Sequence, residues 1–252
     1  KKIVAWIVAA LFALHPMHVE SVAWISERKD VLYAFFMLAS MICFVFYIQQ
    51  QKQKFYIFAF LLAVLALLSK PAAVILPFLL LLLDFWFQRS FSLKTIVEKI
   101  PFFALAVIVG VLTVLAQADN ALMNVTEYTL WQKTAFASYG FLMYFFKLFW
   151  PFNLSAFYPY PISSSSGSLA LNYQLAPLFV LLFGVLVTFS YRYTKNILWA
   201  ILFYFFNIVL VLQFINVGSA IIAERYTYVA YISIFLILAL AHHALQDISN
   251  KK

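Results

Sequence analysis

VLYAFFMLASMICFVFYI, Val31 to Ile48, runs for eighteen residues without a formal charge. A helix rises about 1.5 Å per residue and a hydrocarbon core is roughly 30 Å thick, so a run of this length suits a bilayer crossing. Its residues are continuously apolar instead of alternating, which argues against the paired strands of a barrel. This stretch decides the fold class, and the rest of the chain repeats it. Further apolar blocks lie at Ile3–Leu14, Phe55–Leu68, Ala72–Phe87, Ile100–Ala116, Leu175–Tyr191, Ile197–Ile215 and Tyr228–Leu245. The expected fold is an all-α polytopic transmembrane bundle of about eight spans, forming one transmembrane domain over residues 1–252.

Composition points the same way. Of the 252 residues 66% are hydrophobic and 10% charged, and the mean hydropathy is +0.96. A soluble domain of this length needs more polar surface than that. The 29 Phe, 15 Tyr and 6 Trp suit the two bilayer interfaces. The net charge of +8 is spread between apolar blocks and forms no stripe, so no nucleic-acid partner is expected. Cys43 is the single cysteine, which excludes an internal disulfide.

A ninth apolar block, Thr134–Trp150, is ambiguous, and lysine and arginine bias arbitrates. Suppose Lys1 and Lys2 are cytoplasmic and this block does not cross. Lys52, Lys54, Arg89, Lys94, Lys99, Arg192, Lys195, Lys251 and Lys252 then also fall inside, giving 11 of the 17 basic residues. If the block crosses, the split becomes 9 against 8. The positive-inside rule favours the first arrangement, and Lys147 makes a lipid-facing crossing costly. Thr134–Trp150 is therefore expected to be a re-entrant or interfacial helix. Glu20, Glu27, Asp30, Asp119, Glu127 and Glu224 then fall on the outer face, with Asp84, Glu98 and Asp247 inside.

The first outer connection, HPMHVESVAWISERKD from His15 to Asp30, concentrates two histidines, three acids, Arg28 and Lys29. Imidazoles and carboxylates where membrane meets water suit general-base work or a divalent ion such as magnesium or manganese. The same stretch also reads as a short amphipathic loop in which Glu27 pairs with Arg28 or Lys29. Its His15, His18 and Glu20 match no strong metal-ligand spacing. If it is helical after Pro16, His18 shares a face with Val22 and Ile25. Lys70, in LLSKPAAV, precedes a helix opened by Pro71 and could hold a phosphate; a snorkelling lysine is the plainer reading. Arg225, in AERYTYVAY, adjoins Glu224 and Tyr226. It is either a second phosphate clamp or an interfacial ion pair. His242 and His243 mark the inner interface. The sequons at Asn124 and Asn153 both fall on the expected outer side.

Four segments, HPMHVESVAWISERKDVLYAFF, LLSKPAAVILPFLLLLLDFW, FKLFWPFNLSAFYPYP and AERYTYVAY, resemble in order the membrane region of the transmembrane-and-TPR-repeat proteins. That family is similar to GT-C glycosyltransferases, which take a sugar from a polyprenyl or dolichyl phosphate on the outer or lumenal face. The resemblance implies a membrane module of an O-mannosyltransferase acting on protein hydroxyls. Membrane lipid, the lipid-phosphate sugar and a protein acceptor would be its partners. Glu20 is then an auxiliary acid, with His15 and His18 lining the pocket. Arg28 and Asp30 frame the loop; Lys70 and Arg225 bind the carrier phosphate beside Glu224 and Tyr226.

In such enzymes the principal acid lies in an earlier outer loop. The chain, which opens on Lys1-Lys2, therefore reads as an excerpt that also lacks the C-terminal repeats, and it is expected to be inactive alone. Two rivals are a transporter or flippase, and an inactive anchor for the repeats. The lean loops and the many Phe and Lys residues favour a bacterial inner membrane over the endoplasmic reticulum.

Overall fold

A computed structural model describes residues 2–121, 128–161, 169–212 and 220–249. The fold is helical, as the apolar blocks require. It divides into two compact units, residues 21–124 and residues 1–20 with 125–252.

In the unit of residues 21–124, α3 (Arg28–Gln50) and α4 (Gln53–Ser69) form a helical hairpin. The turn needs a left-handed residue, and Gln51 supplies it with φ 54°, its amide closing on the Tyr47 carbonyl. Ala59, Ala63 and Ala66 recur at helical spacing on α4 and are all buried. Such small side chains let two helix backbones approach closely. The Ser40 hydroxyl of α3 crosses the hairpin to donate to the Ala59 carbonyl at 2.7 Å. A 3-10 turn at Pro71–Ile75 leads into α5 (Leu76–Trp86), followed by α6 (Leu93–Val97) and α7 (Ile100–Ala121). Ser92 opens α6 through a reciprocal capping box with Thr95.

In the other unit, α1 (Lys2–Leu14) packs on α11 (Tyr231–Ser249), and α8 (Leu130–Phe149) packs on α9 (Leu171–Ser190). The helix α10 (Lys195–Ile208) touches both α9 and α11. Three buried tyrosines tie this core, since a phenol away from water needs a partner. Tyr204 donates to the Phe141 carbonyl at 3.0 Å and Tyr231 to that of Tyr144 at 2.5 Å, while the Tyr144 hydroxyl accepts from the Ala223 amide. Strands β1 (Tyr158–Pro159) and β2 (Ala220–Ile222) pair antiparallel; no apolar periodicity announced them.

The expected blocks map onto helices with two changes. Ala72–Phe87 is split, because Pro71 and Pro77 force a 3-10 start before α5. The block Ile197–Ile215 ends early, with α10 stopping at Ile208 and a 3-10 turn at Val209–Val211; residues 213–215 lie outside the described residues.

Among the described residues, three helices can cross a bilayer by length and composition: Ile25–Gln50, Leu93–Ala116 and Leu171–Ser190. A fourth candidate is the pair Lys2–Leu14 and Pro16–Ala23, bent by 61° at its break. Gln53–Ser69, Pro71–Trp86, Lys195–Val211 and Tyr231–Asp247 are apolar but shorter.

Candidate functional site

Pro16 sets the local geometry of the first polar connection. His15 is extended (φ −70°, ψ 126°), as a residue before proline must be, and its ring accepts from the Met17 amide at 3.3 Å. A 3-10 turn over Pro16–His18 then hands over to α2 (Val19–Ala23). The stretch is helical from Pro16 to Ala23, where this helix ends. Trp24 is extended (φ −82°, ψ 116°) and separates this helical turn from the 3-10 turn at Ile25–Glu27.

Both imidazoles serve the protein core. Nε2 of His15 meets the Leu148 carbonyl at 2.9 Å while Nδ1 takes the Met17 amide, which assigns the proton to Nε2. His18 donates from Nδ1 to the Phe12 carbonyl at 2.7 Å and packs among Phe12, Tyr228 and Tyr231. Among the described residues, no group of three or more His, Cys, Asp or Glu could hold a metal ion. A divalent ion therefore gains no ligand set from His15, His18 and Glu20.

Glu20 has a different environment. Its Oε2 accepts from the Arg225 backbone amide at 2.9 Å, and Oε1 meets the Arg225 guanidinium. That guanidinium also lies over the Tyr226 ring, 5.0 Å from its centroid. The neighbouring Glu224 is buried, and its Oε1 accepts from the Tyr158 hydroxyl at 2.7 Å and the Ser155 amide at 2.8 Å. Lys147 donates to the carbonyls of Phe152 (3.2 Å) and Asn153 (3.3 Å), and its ammonium sits over the Tyr158 ring. Lys147 is thus buried against its own loop instead of facing lipid. Burial, then the bond to Glu224, pushes the Tyr158 phenol well above its ordinary 10.0, so it remains a donor. Tyr160 is pushed up to about 12, chiefly by burial.

Two carboxylates, a guanidinium, an ammonium and a phenol thus meet in the unit of residues 1–20 and 125–252. Glu20 is near enough for its charge to act on Tyr158, and Glu224 for its charge to act on Lys147. Such a group can exchange partners with an anion or a hydroxyl: the guanidinium is a ready phosphate ligand, and the carboxylate a proton acceptor. Sequence reasoning missed Tyr158 as the hinge of this group, although YPYP stands inside one of the quoted segments.

The other unit holds Asp30, Lys70 and Arg28. Asp30 is fully buried, meets the Lys70 ammonium and accepts from the Ser21 hydroxyl at 3.3 Å. The Lys70 ammonium also lies 5.6 Å from the Tyr33 ring centroid. Arg28 is exposed and donates to the Ile25 carbonyl, while Lys29, not Arg28, pairs with Glu27 at 3.5 Å. A second cluster was legible only as topology signals. Asp84 meets Lys99 and, at 2.9 Å, Arg89; Arg89 reaches Glu98 at 3.0 Å, and Glu98 accepts from the Tyr47 hydroxyl at 2.7 Å.

On α11 His243 pairs with Asp247 at 3.0 Å. The Asn124 sequon lies outside the described residues. In the Asn153 sequon, the Ser155 hydroxyl donates to the Phe157 carbonyl. No protein-family model, no curated protein and no solved structure matches the chain.

Proposed function

We propose that this chain is the membrane module of a glycosyltransferase that uses a lipid-phosphate-linked sugar, with the Glu20–Arg225 pair at its working centre. The supporting observation is the partial exposure of that pair. The Arg225 side chain is 20% exposed and that of Glu20 10%, so an arriving phosphate can compete for the guanidinium. A carrier phosphate that draws Arg225 away leaves Glu20 held only by the backbone amide. The freed carboxylate can then hold an acceptor hydroxyl as an auxiliary acid, and the hydroxyl proton goes to the principal acid that the resemblance places in an earlier outer loop. The hydroxyl oxygen bonds to the anomeric carbon, the bond from that carbon to the phosphate oxygen breaks, and the lipid phosphate leaves with the electron pair. Arg225 stabilises the charge that develops on it. The resemblance in the quoted segments names the sugar as mannose and the acceptor as a protein hydroxyl.

This reading includes the full membrane count. The three long helices, the bent pair and the four shorter apolar helices together make eight candidate crossings. A helix of 17 residues spans roughly 25 Å and is completed by modest local thinning or snorkelling. The helix α8 is not among them, in keeping with a re-entrant or interfacial role.

A second reading is an inactive membrane anchor, in which the ion pairs are clasps. The full burial of Asp30 against Lys70 favours it for that pair. A transfer assay separates the two. Membranes carrying the full-length protein, supplied with polyprenyl-phosphate-mannose and a serine- and threonine-rich peptide, should transfer sugar. Glu20→Gln should lower transfer about a hundredfold, the loss that misplacing an acceptor by about 1 Å can cause. Absence of transfer by wild type would favour the anchor, and equal transfer by Glu20→Gln would remove Glu20 from the working centre.

A further inference from the structure

The unit of residues 1–20 and 125–252 carries a groove that the proposed reaction does not use. One cavity of about 310 Å³ is walled by α8, α9 and α10, with Phe141, Phe183 and Phe205 in its lining. A second of about 590 Å³ continues along α9. The two share Val180, Gly184 and Thr188, so they form one furrow. Its lining is apolar apart from the hydroxyls of Ser138 and Thr188 and, just past the end of α9, Arg192. The Arg192 guanidinium lies over the Phe189 ring at 5.1 Å, and among the described residues no carboxylate pairs with it.

The helix that forms the furrow's spine, Leu171–Ser190, is long and apolar enough to cross a bilayer, and only 11% of its apolar window is buried within the protein. Gly184 keeps the furrow open at its middle, because a Cβ there would meet nothing within 4 Å. An elongated apolar trough that ends in one cation fits a molecule with a hydrocarbon tail and an anionic head. We infer that this furrow is a binding site for a single-phosphate anionic phospholipid of the surrounding membrane. The acyl chain lies along α9 past Gly184, and the phosphodiester meets Arg192. Basic bias puts Arg192 on the cytoplasmic side, so this lipid belongs to that leaflet and is distinct from the sugar carrier.

The test is native mass spectrometry of the full-length protein in detergent, titrated with palmitoyl-oleoyl phosphatidylglycerol or phosphatidylcholine. Wild type should retain phosphatidylglycerol roughly fivefold better, the preference one basic side chain near an anionic head group gives. Arg192→Gln should abolish that preference and Arg192→Lys should keep most of it. Gly184→Phe, with wild-type helicity by circular dichroism, should lose retention of both lipids. Absence of a preference in wild type would overturn the site, as would undiminished retention by Gly184→Phe. Competition by inorganic phosphate alone, or a dimer that Gly184→Phe dissolves, would point to another occupant and overturn it too. The assay contains no sugar carrier, so its outcome is separate from that of the transfer assay.

Discussion

Arg225 holds the Glu20 carboxylate twice, through its backbone amide at 2.9 Å and through its guanidinium. The two residues are 205 positions apart in sequence, so the contact fastens the start of this unit to its last polar turn. Each partner is mostly withdrawn from water, and removing one leaves the other's charge incompletely met. We predict that Glu20→Gln and Arg225→Gln each destabilise the protein by about 1–3 kcal/mol, with a coupling near 1 kcal/mol in the double mutant. Thermal unfolding in detergent measures it, and strictly additive effects would contradict the pairing.

Lys99 and Lys94 are five positions apart but differ in burial. Lys99 is 1% exposed and meets Asp84, whereas Lys94 is exposed and reaches only Gln51 at 3.4 Å. Lys99→Met should cost about 2 kcal/mol because buried Asp84 keeps Arg89 but loses its second cation, and Lys94→Met under about 0.5 kcal/mol. Comparable unfolding curves for the two variants would refute the buried network.

The elevated Tyr158 phenol gives a pH signature. Its folded value lies above the ordinary 10.0, so the fold disfavours the phenolate. Its contribution is complete below pH 10 and is lost as pH rises towards the folded value. Stability should therefore fall at alkaline pH, and fall less in Tyr158→Phe. That variant should also lose about 1 kcal/mol at neutral pH with the bond to Glu224. Parallel pH profiles for the two proteins would contradict this account.

The shorter apolar helices can be tested for crossing. In a Cys43→Ser background, single cysteines at Lys52 and Ser69 flank α4. If α4 spans, a membrane-impermeant maleimide should label them from opposite sides of sealed vesicles. Labelling from one side would remove α4 from the count.

The helices were legible because a continuous apolar run allows few alternatives in a bilayer, and Val31–Ile48 lies wholly within α3. The breaks were less legible. Pro16 was visible, but Trp24 carries no breaker signal and still ends α2 before Ile25. Lys70 stood out as an isolated charge in apolar surroundings, and Glu20 and Arg225 as members of short polar connections between apolar blocks. Their partners did not, because Glu20 to Arg225 and Asp30 to Lys70 are long-range choices made by packing. Arg89 and Lys99 were counted as loop charges for topology, yet both lie against Asp84. The pairing of Tyr158 with Glu224 depends on a two-residue strand that has no periodicity to betray it.

Carrier binding tests the central claim most directly. Full-length protein in phosphatidylcholine nanodiscs should bind polyprenyl-phosphate-mannose, and Arg225→Ala should weaken that binding about tenfold or more, the loss expected for a charge-assisted phosphate contact. Arg225→Lys should recover part of it. Unchanged affinity in a folded Arg225→Ala protein would contradict the account.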